Sequence, residues 1–353
     1  MSSNIIVQPT IFREYIGSNE YSHHHGFPSH IINEEVTEFH FILAFAKENY
    51  EETLTTKVGD GNFSRHWKIS SFSAERIHKL KKENPNVKVI ISIGGRGSNF
   101  PFNTNDSMIW VHNAFTSIKN IIDDYNHNSD IRIIDGIDVN YEEIHNDENF
   151  VKCLGLLIKL LKLKGLITIA SIAPSASVHT QYKKLYHHYK YCIDWVNYQF
   201  YGQTLSNKRD FLNLYIALSK DYPSHRKDYP SILLAGFSTD PSDAGTISQD
   251  TFLDGCHQLF KDNLLPGIFV FGADYSKVTH EGKKSFQVEI IAQQMIVDTR
   301  VLNFGYSHVC HCVAITKKVG ECNRCDWNHG RHLIVETPKT ATLKLELRLR
   351  SAI

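Results

Sequence analysis

The stretch Asp135-Gly136-Ile137-Asp138-Val139-Asn140-Tyr141-Glu142 decides how this chain is read. Extended backbone sends alternate side chains to opposite faces, so Asp138, Asn140 and Glu142 project together while Ile137, Val139 and Tyr141 project the other way. Three polar side chains on one face of an otherwise apolar strand are costly to bury unless they share hydrogen bonds. Glu142 stands at the C-terminal end of this strand with Asp138 deeper. In such a graded pair the deeper carboxylate raises the pKa of the outer one by like-charge repulsion. Two blander readings compete: a surface strand carrying ordinary acidic residues, and a metal site, for which His145 is the one convincing imidazole nearby.

Working outward, seven further apolar runs flank this one. The candidate strands are 11–17, 39–46, 87–94, 133–141, 166–173, 195–201, 232–237 and 267–271, and most are near-continuously hydrophobic, as strands buried on both faces should be. Helical patterns lie between them at 73–83, 108–125, 149–163, 182–190, 210–221, 249–262 and 286–299. In 149–163, Phe150, Cys153, Leu154, Leu157, Ile158 and Leu161 keep one face apolar at helical spacing. Eight strands alternating with helices describe an α/β chain, and a (β/α)8 barrel fits the length, although a doubly wound sheet gives a similar alternation. Barrel enzymes carry their chemistry at the C-terminal ends of the strands, which is where Glu142 stands.

Composition narrows the partners. The 353 residues include 38 Lys+Arg and 38 Asp+Glu, so net charge gives no electrostatic case for nucleic acid or an anionic membrane. Apolar residues at 42% and charged residues at 22% suit a soluble globular protein. No segment reaches the ~18 consecutive apolar residues that span a bilayer. The opening Met1-Ser-Ser-Asn-Ile-Ile-Val-Gln-Pro9 lacks a basic region and an apolar run of signal-peptide length, so a cytoplasmic, monomeric protein is expected. Cys153, Cys192 and Cys256, widely spaced and odd in number, form no disulfide framework.

Residues 301–353 differ in character, with eight Lys/Arg against four Asp/Glu and a strictly alternating Thr342-Leu-Lys-Leu-Glu-Leu-Arg-Leu-Arg350. The expected division is therefore a barrel over 1–300 and a short C-terminal extension of uncertain fold over 301–353. Within the extension, Cys310, Cys312, Cys322 and Cys325 offer thiolates for a zinc knuckle, but C-x-C is an unusual half-site and free thiols are the alternative. His23-His24-His25 reads as a solvated loop and His187-His188 as an exposed helical pair.

The eight-residue run resembles the D-G-x-D-x-D-x-E signature of glycoside hydrolase family 18 chitinases, matched at Asp135, Gly136, Asp138 and Glu142. Ser92-Ile93-Gly94-Gly95 resembles the S-x-G-G that ends the third strand in that family, and Gln199-Phe200-Tyr201 resembles the Q-F-Y of plant class III chitinases. The likeness covers 11–300. Segments such as Ile11-Phe-Arg-Glu-Tyr-Ile-Gly17 and Gly236-Phe-Ser-Thr-Asp-Pro241 are most similar to the narbonin-type seed globulins of the family.

This resemblance implies a barrel and a substrate-assisted retaining mechanism, in which the N-acetyl oxygen of the sugar attacks the anomeric carbon and one Glu protonates the leaving oxygen. Glu142 would be that acid, Asp138 its buried partner, and Asp135 a member of the motif; Asn140 replaces the middle acidic residue. The substrate side would comprise Tyr15, Phe45, Gly94, Gly95, Gln199, Tyr201 and Phe271, the last in the place of the family's tryptophan floor. Asn140 accepts a hydrogen bond but carries no charge to offset an oxazolinium ion, a loss worth ~3–4 kcal/mol, or ~10²–10³ in rate. The expectation is a chitinase-like protein, inactive or strongly impaired, with a storage or carbohydrate-binding role. The alternative is a weak chitinase acting on β-1,4-linked N-acetylglucosamine oligomers. Chitin or its oligomers are the expected partners, and no cofactor is expected.

Overall fold

The strand around Asp138 is one of eight that close into a parallel ring. The computed structural model describes residues 10–19, 26–53, 56–97, 99–225, 230–243, 247–277 and 284–302. Its strands are β1 (Ile11–Ile16), β2 (Glu38–Glu52), β3 (Lys57–Arg65), β4 (Val87–Gly95), β5 (Gly136–Tyr141), β6 (Ile169–Ile172), β7 (Trp195–Tyr198), β8 (Leu233–Ser238) and β9 (Gly267–Phe271). They pair in the order β1-β9-β8-β7-β6-β5-β4-β2-β3, and β1 also pairs with β2, which closes the sheet. All contacts are parallel except β2 with β3. The fold is thus the expected (β/α)8 barrel, not a doubly wound sheet.

The helices are α1 (Ala74–Glu83), α2 (Ser107–Asn126), α3 (Asp147–Leu163), α4 (His179–Tyr189), α5 (Lys208–Ser219), α6 (Gln249–Lys261), α7 (Ala273–Ser276) and α8 (Gln287–Leu302). Capping side chains set several starts. Asp106 accepts the Met108 and Ile109 amides at 2.8 and 3.0 Å, and Asn146 accepts the Asn149 amide at 2.9 Å, filling donors that a first turn leaves without partners. The apolar face expected on α3 is fully buried from Phe150 to Leu161. Among the described residues, no helix is long and apolar enough to cross a membrane.

Several boundaries shift, as at β6 and β7, which are shorter than the expected 166–173 and 195–201, and two departures have a local cause. The fourth barrel strand starts at Gly136, not at 133, because side chains have already taken its first backbone groups. Asn126 Oδ1 accepts the Ile133 amide at 2.8 Å, and Asp135 engages β4. The second departure is β3, an antiparallel partner for a β2 that runs on to Glu52. Its inward positions are Gly59, Gly61 and Phe63, so two of the three carry no side chain and the apolar signal of a strand is missing. Gly61 is required there, since it has φ +80° and a Cβ would lie 2.4 Å from the Trp110 carbonyl oxygen. The tail expected over 301–353, with its four cysteines, and His23–His25 lie outside the described residues, apart from the last turn of α8.

Candidate active site

Register builds the site. Ser92 of β4, Asp138 of β5 and Ser171 of β6 are direct neighbours across the sheet, and Gly94 is level with Asn140 one step higher. Asp138 is fully buried in the barrel, and four donors saturate it. Tyr15 hydroxyl and Ser92 Oγ donate to one oxygen at 2.9 and 2.8 Å, while Ser171 Oγ and Asn197 Nδ2 donate to the other at 2.6 and 3.1 Å. Asn197 is held in turn by Arg13, whose Nη1 donates to its Oδ1 at 2.7 Å. Burial first, then the Asp138 charge, pushes the Tyr15 phenol well above its ordinary range, so it stays a neutral donor.

Asn140, above Asp138, is 3% exposed. Gln199 Nε2 donates to its Oδ1 at 3.2 Å and reaches the Ala173 carbonyl at 3.2 Å and Glu142 Oε1 at 3.4 Å. Glu142 lies just past the end of β5, partly exposed, and its Oε2 accepts the Gly97 amide at 2.7 Å. Burial raises its pKa above the ordinary carboxylate range, while the Gly97 amide, Arg96 and Gln199 pull it down. The like charge that adds to burial is Asp243, not Asp138 as the strand alternation suggests.

Arg96 spans the mouth. Its guanidinium pairs with Asp240 and Asp243 of the connection after β8, and its carbon lies 5.7 Å from the Phe271 ring centroid, over the face. Phe271 is 5% exposed, stacks on Tyr201 at 6.3 Å and 27°, and packs against Tyr15 at 5.6 Å. Phe271, Tyr201 and Tyr15 therefore form an aromatic cluster at the barrel mouth, with the Arg96 cation lying on it. Two peptide bonds here, Ala44–Phe45 and Phe271–Gly272, are cis. Phe45 sits at a bulge between β2 and β4 and is buried.

The structure thus brings Tyr15, Asp138, Asn140, Glu142, Gln199, Tyr201 and Phe271 to one end of the barrel. Gly94 and Gly95 serve it by leaving space. Gly94 has φ +103°, and a Cβ there would lie 2.4 Å from the Asn140 carbonyl oxygen; at Gly95 it would meet the Phe100 ring at 2.5 Å. Asp135 does not join them and is a correction to the sequence reading. It precedes β5, three residues below Asp138, where it accepts Lys81 Nζ at 2.6 Å and the Val89 amide at 2.7 Å. Asp194, just before β7, does the same with Lys162 and the Ala170 amide, so both are fasteners at the lower rim.

Sequence reasoning missed Ser171, Asn197, Arg96, Asp240 and Asp243 as members of the site. Ser171 carries a faint signal, a hydroxyl inside the apolar Ile169-Ala-Ser-Ile172. Arg96 and the two aspartates carry none, because nothing local shows that two loops far apart in the chain meet. His145 pairs with Glu143 at 2.6 Å and is exposed, and His187 and His188 are likewise exposed. Among the described residues, no three His, Cys, Asp or Glu side chains are placed to hold a metal ion.

A carboxyl at the rim, above a saturated carboxylate deep in a closed parallel barrel, stands where barrel enzymes carry their chemistry. Comparison with known proteins gives the family. The profile of glycosyl hydrolases family 18 matches residues 15–233. The chain is 35% identical over 295 residues to chitinase 1 of Tulipa saxatilis subsp. bakeri, which covers 81% of this chain and 87% of that protein. It is 30% identical over 301 residues to the RuBisCO-associated protein of Glycine max, covering 81% and 96%. Among solved structures, the family 18 chitinase of Crocus vernus matches with a TM-score of 0.69 at 33% identity, over 82% of this chain and all of that one. The chain belongs to glycosyl hydrolases family 18, among its plant chitinase-like members.

Proposed function

We propose that this barrel mouth is an impaired chitinase site, one that binds chito-oligosaccharides and hydrolyses them slowly or not at all. The carrying observation is Asn140. It sits between Asp138 and Glu142 with a neutral amide whose oxygen accepts from Gln199, so no charge is available there to offset a developing oxazolinium cation. Glu142 keeps the means to act as an acid, because burial holds its proton above the ordinary carboxylate range. Arg96 adds a second impediment: a sugar stacking on Phe271 has to displace a guanidinium fixed by two carboxylates.

The tulip relative, named a chitinase, supports the chito-oligosaccharide half of this reading. A narbonin-type storage or carbohydrate-binding role in a cytoplasmic monomer belongs to the same proposal; cell fractionation and sizing check it. A weakly active chitinase is the second reading, favoured by Glu142, Gln199 and Tyr201 standing together.

Turnover of a chitin oligomer by the wild type, by Asn140→Asp and by Glu142→Gln separates them. The proposal expects little or no wild-type turnover and a gain of ~10²–10³ on restoring the charge in Asn140→Asp. Substantial wild-type turnover that vanishes in Glu142→Gln establishes the second reading instead. Calorimetry with the same oligomers tests binding, and no heat at millimolar ligand removes the sugar role.

A further inference from the structure

Beside the mouth, the connection from β8 to α6, the short α7 and the first turn of α8 enclose a second cavity, of about 300 Å³. The residues lining it include Tyr275, Phe286, Asp240, Asp243 and Glu289, with Lys284 at an exposed edge. Asp240 and Asp243 both pair with Arg96. Glu289 has no such partner. It is fully buried, and neither of its oxygens has a hydrogen bond. Glu14 of β1, which feels the Glu289 charge, is also fully buried with both oxygens unpartnered. Burial, then Glu289, then Asp274 push the Glu14 carboxyl well above its ordinary range. Asp274 is a further like charge, and one of its oxygens accepts the Gly17 and Ser18 amides at 2.8 and 2.9 Å.

Four carboxylate oxygens without partners in a protein interior call for protons or for a cation. We propose that this cavity binds a small primary ammonium ion, with Glu289 as its counter-ion and Tyr275 and Phe286 against its alkyl part. A metal ion is the weaker match, because the described residues offer no third ligand. An ammonium brings three donors of its own, and aromatic faces attract it. The volume lies at the lower end of small-molecule sites, which suits a few carbon atoms and one amine.

The occupant competes with a proton. Burial pushes the Glu289 carboxyl up to about 7. Ammonium binding to the ionised form displaces that proton, so affinity is about tenfold weaker at about pH 6 than at about pH 8.

Calorimetry of the full chain with n-butylammonium, and with n-butanol as its neutral isostere, tests this. The expected result is binding of the amine and not of the alcohol, weakening about tenfold over that pH interval. Glu289→Gln, checked for folding by its thermal melt, should lose the binding, whereas Glu142→Gln at the barrel mouth should keep it. Absence of amine binding at millimolar concentration and about pH 8, or equal binding of the alcohol, overturns the proposal without reference to any variant. Undiminished binding by folded Glu289→Gln overturns it as well. None of these readouts involves a sugar, so the fate of the chito-oligosaccharide reading is decided separately.

Discussion

Single residues separate the chemistry of this barrel from its scaffolding. Asp135 and Asp138 belong to one motif, yet one fastens the lower rim and the other anchors the mouth. Asp135→Asn is expected to destabilise the fold by about 3–5 kcal/mol, because it leaves the buried Lys81 ammonium without its partner. Denaturant unfolding measures that loss, and chito-oligosaccharide affinity of the folded fraction should not change. Arg96→Ala should do the reverse at the mouth. Removing the guanidinium from the Phe271 face gives up an attraction of about 0.5–1 kcal/mol that a sugar otherwise has to overcome. Affinity for oligomers should then rise roughly two- to five-fold by calorimetry, and a fall would show that Arg96 holds the sugar and does not obstruct it.

Elements show how a weak local signal is rescued by tertiary contacts. The β2–β3 hairpin has little apolar pattern of its own, and the buried carboxylate of Glu48 ties it to the barrel and to α2. Glu48 accepts Tyr141 hydroxyl at 2.7 Å, Trp110 Nε1 at 2.5 Å and the Gly61 amide at 2.9 Å. Gly59 makes room for it, as a Cβ there would lie 2.0 Å from the carboxylate. Glu48→Ala strands three buried donors at about 1–3 kcal/mol each, so unfolding at neutral pH should occur at clearly lower denaturant. Glu48→Gln, which keeps an acceptor, should lose less. Equal losses in the two variants would contradict the role given to these hydrogen bonds.

At the scale of the whole molecule, stability should depend on pH in a direction opposite to that of most acidic networks. Burial pushes both Glu48 and Glu289 up to about 7 from an ordinary 4.5. A carboxyl whose folded pKa is raised contributes stability that is complete below about 4.5 and lost as pH rises through about 7. For each group the span is on the order of 3 kcal/mol. The melting temperature should therefore fall between about pH 5 and pH 8, and Glu48→Gln or Glu289→Gln should each flatten the curve. A melting temperature that rises over that interval would show that neither carboxyl titrates as described. Small cations should lift the high-pH end of the curve if they occupy the cavity beside Glu289.

The sequence by itself determined the architecture and the centre of the site. Continuous apolar runs have to be covered on both faces, here by a ring of helices outside and by side chains of the barrel core inside, and polar residues two apart on one such run share a face. Asp138, Asn140 and Glu142 were legible for that reason, and so was the lost charge between them. Gly94 and Gly95 were legible as site positions, although their role is to leave space. What only the tertiary structure decided is who meets whom across the chain. Arg96 lies on Phe271 and between Asp240 and Asp243, Asp135 is turned to the lower rim, and Glu14 and Glu289 share one interior. The Arg96 and Glu14–Glu289 meetings depend on barrel closure, which brings residues 144 or more positions apart together, whereas Asp135 depends on its neighbours β4 and α1. Local sequence carries neither the closure nor the burial.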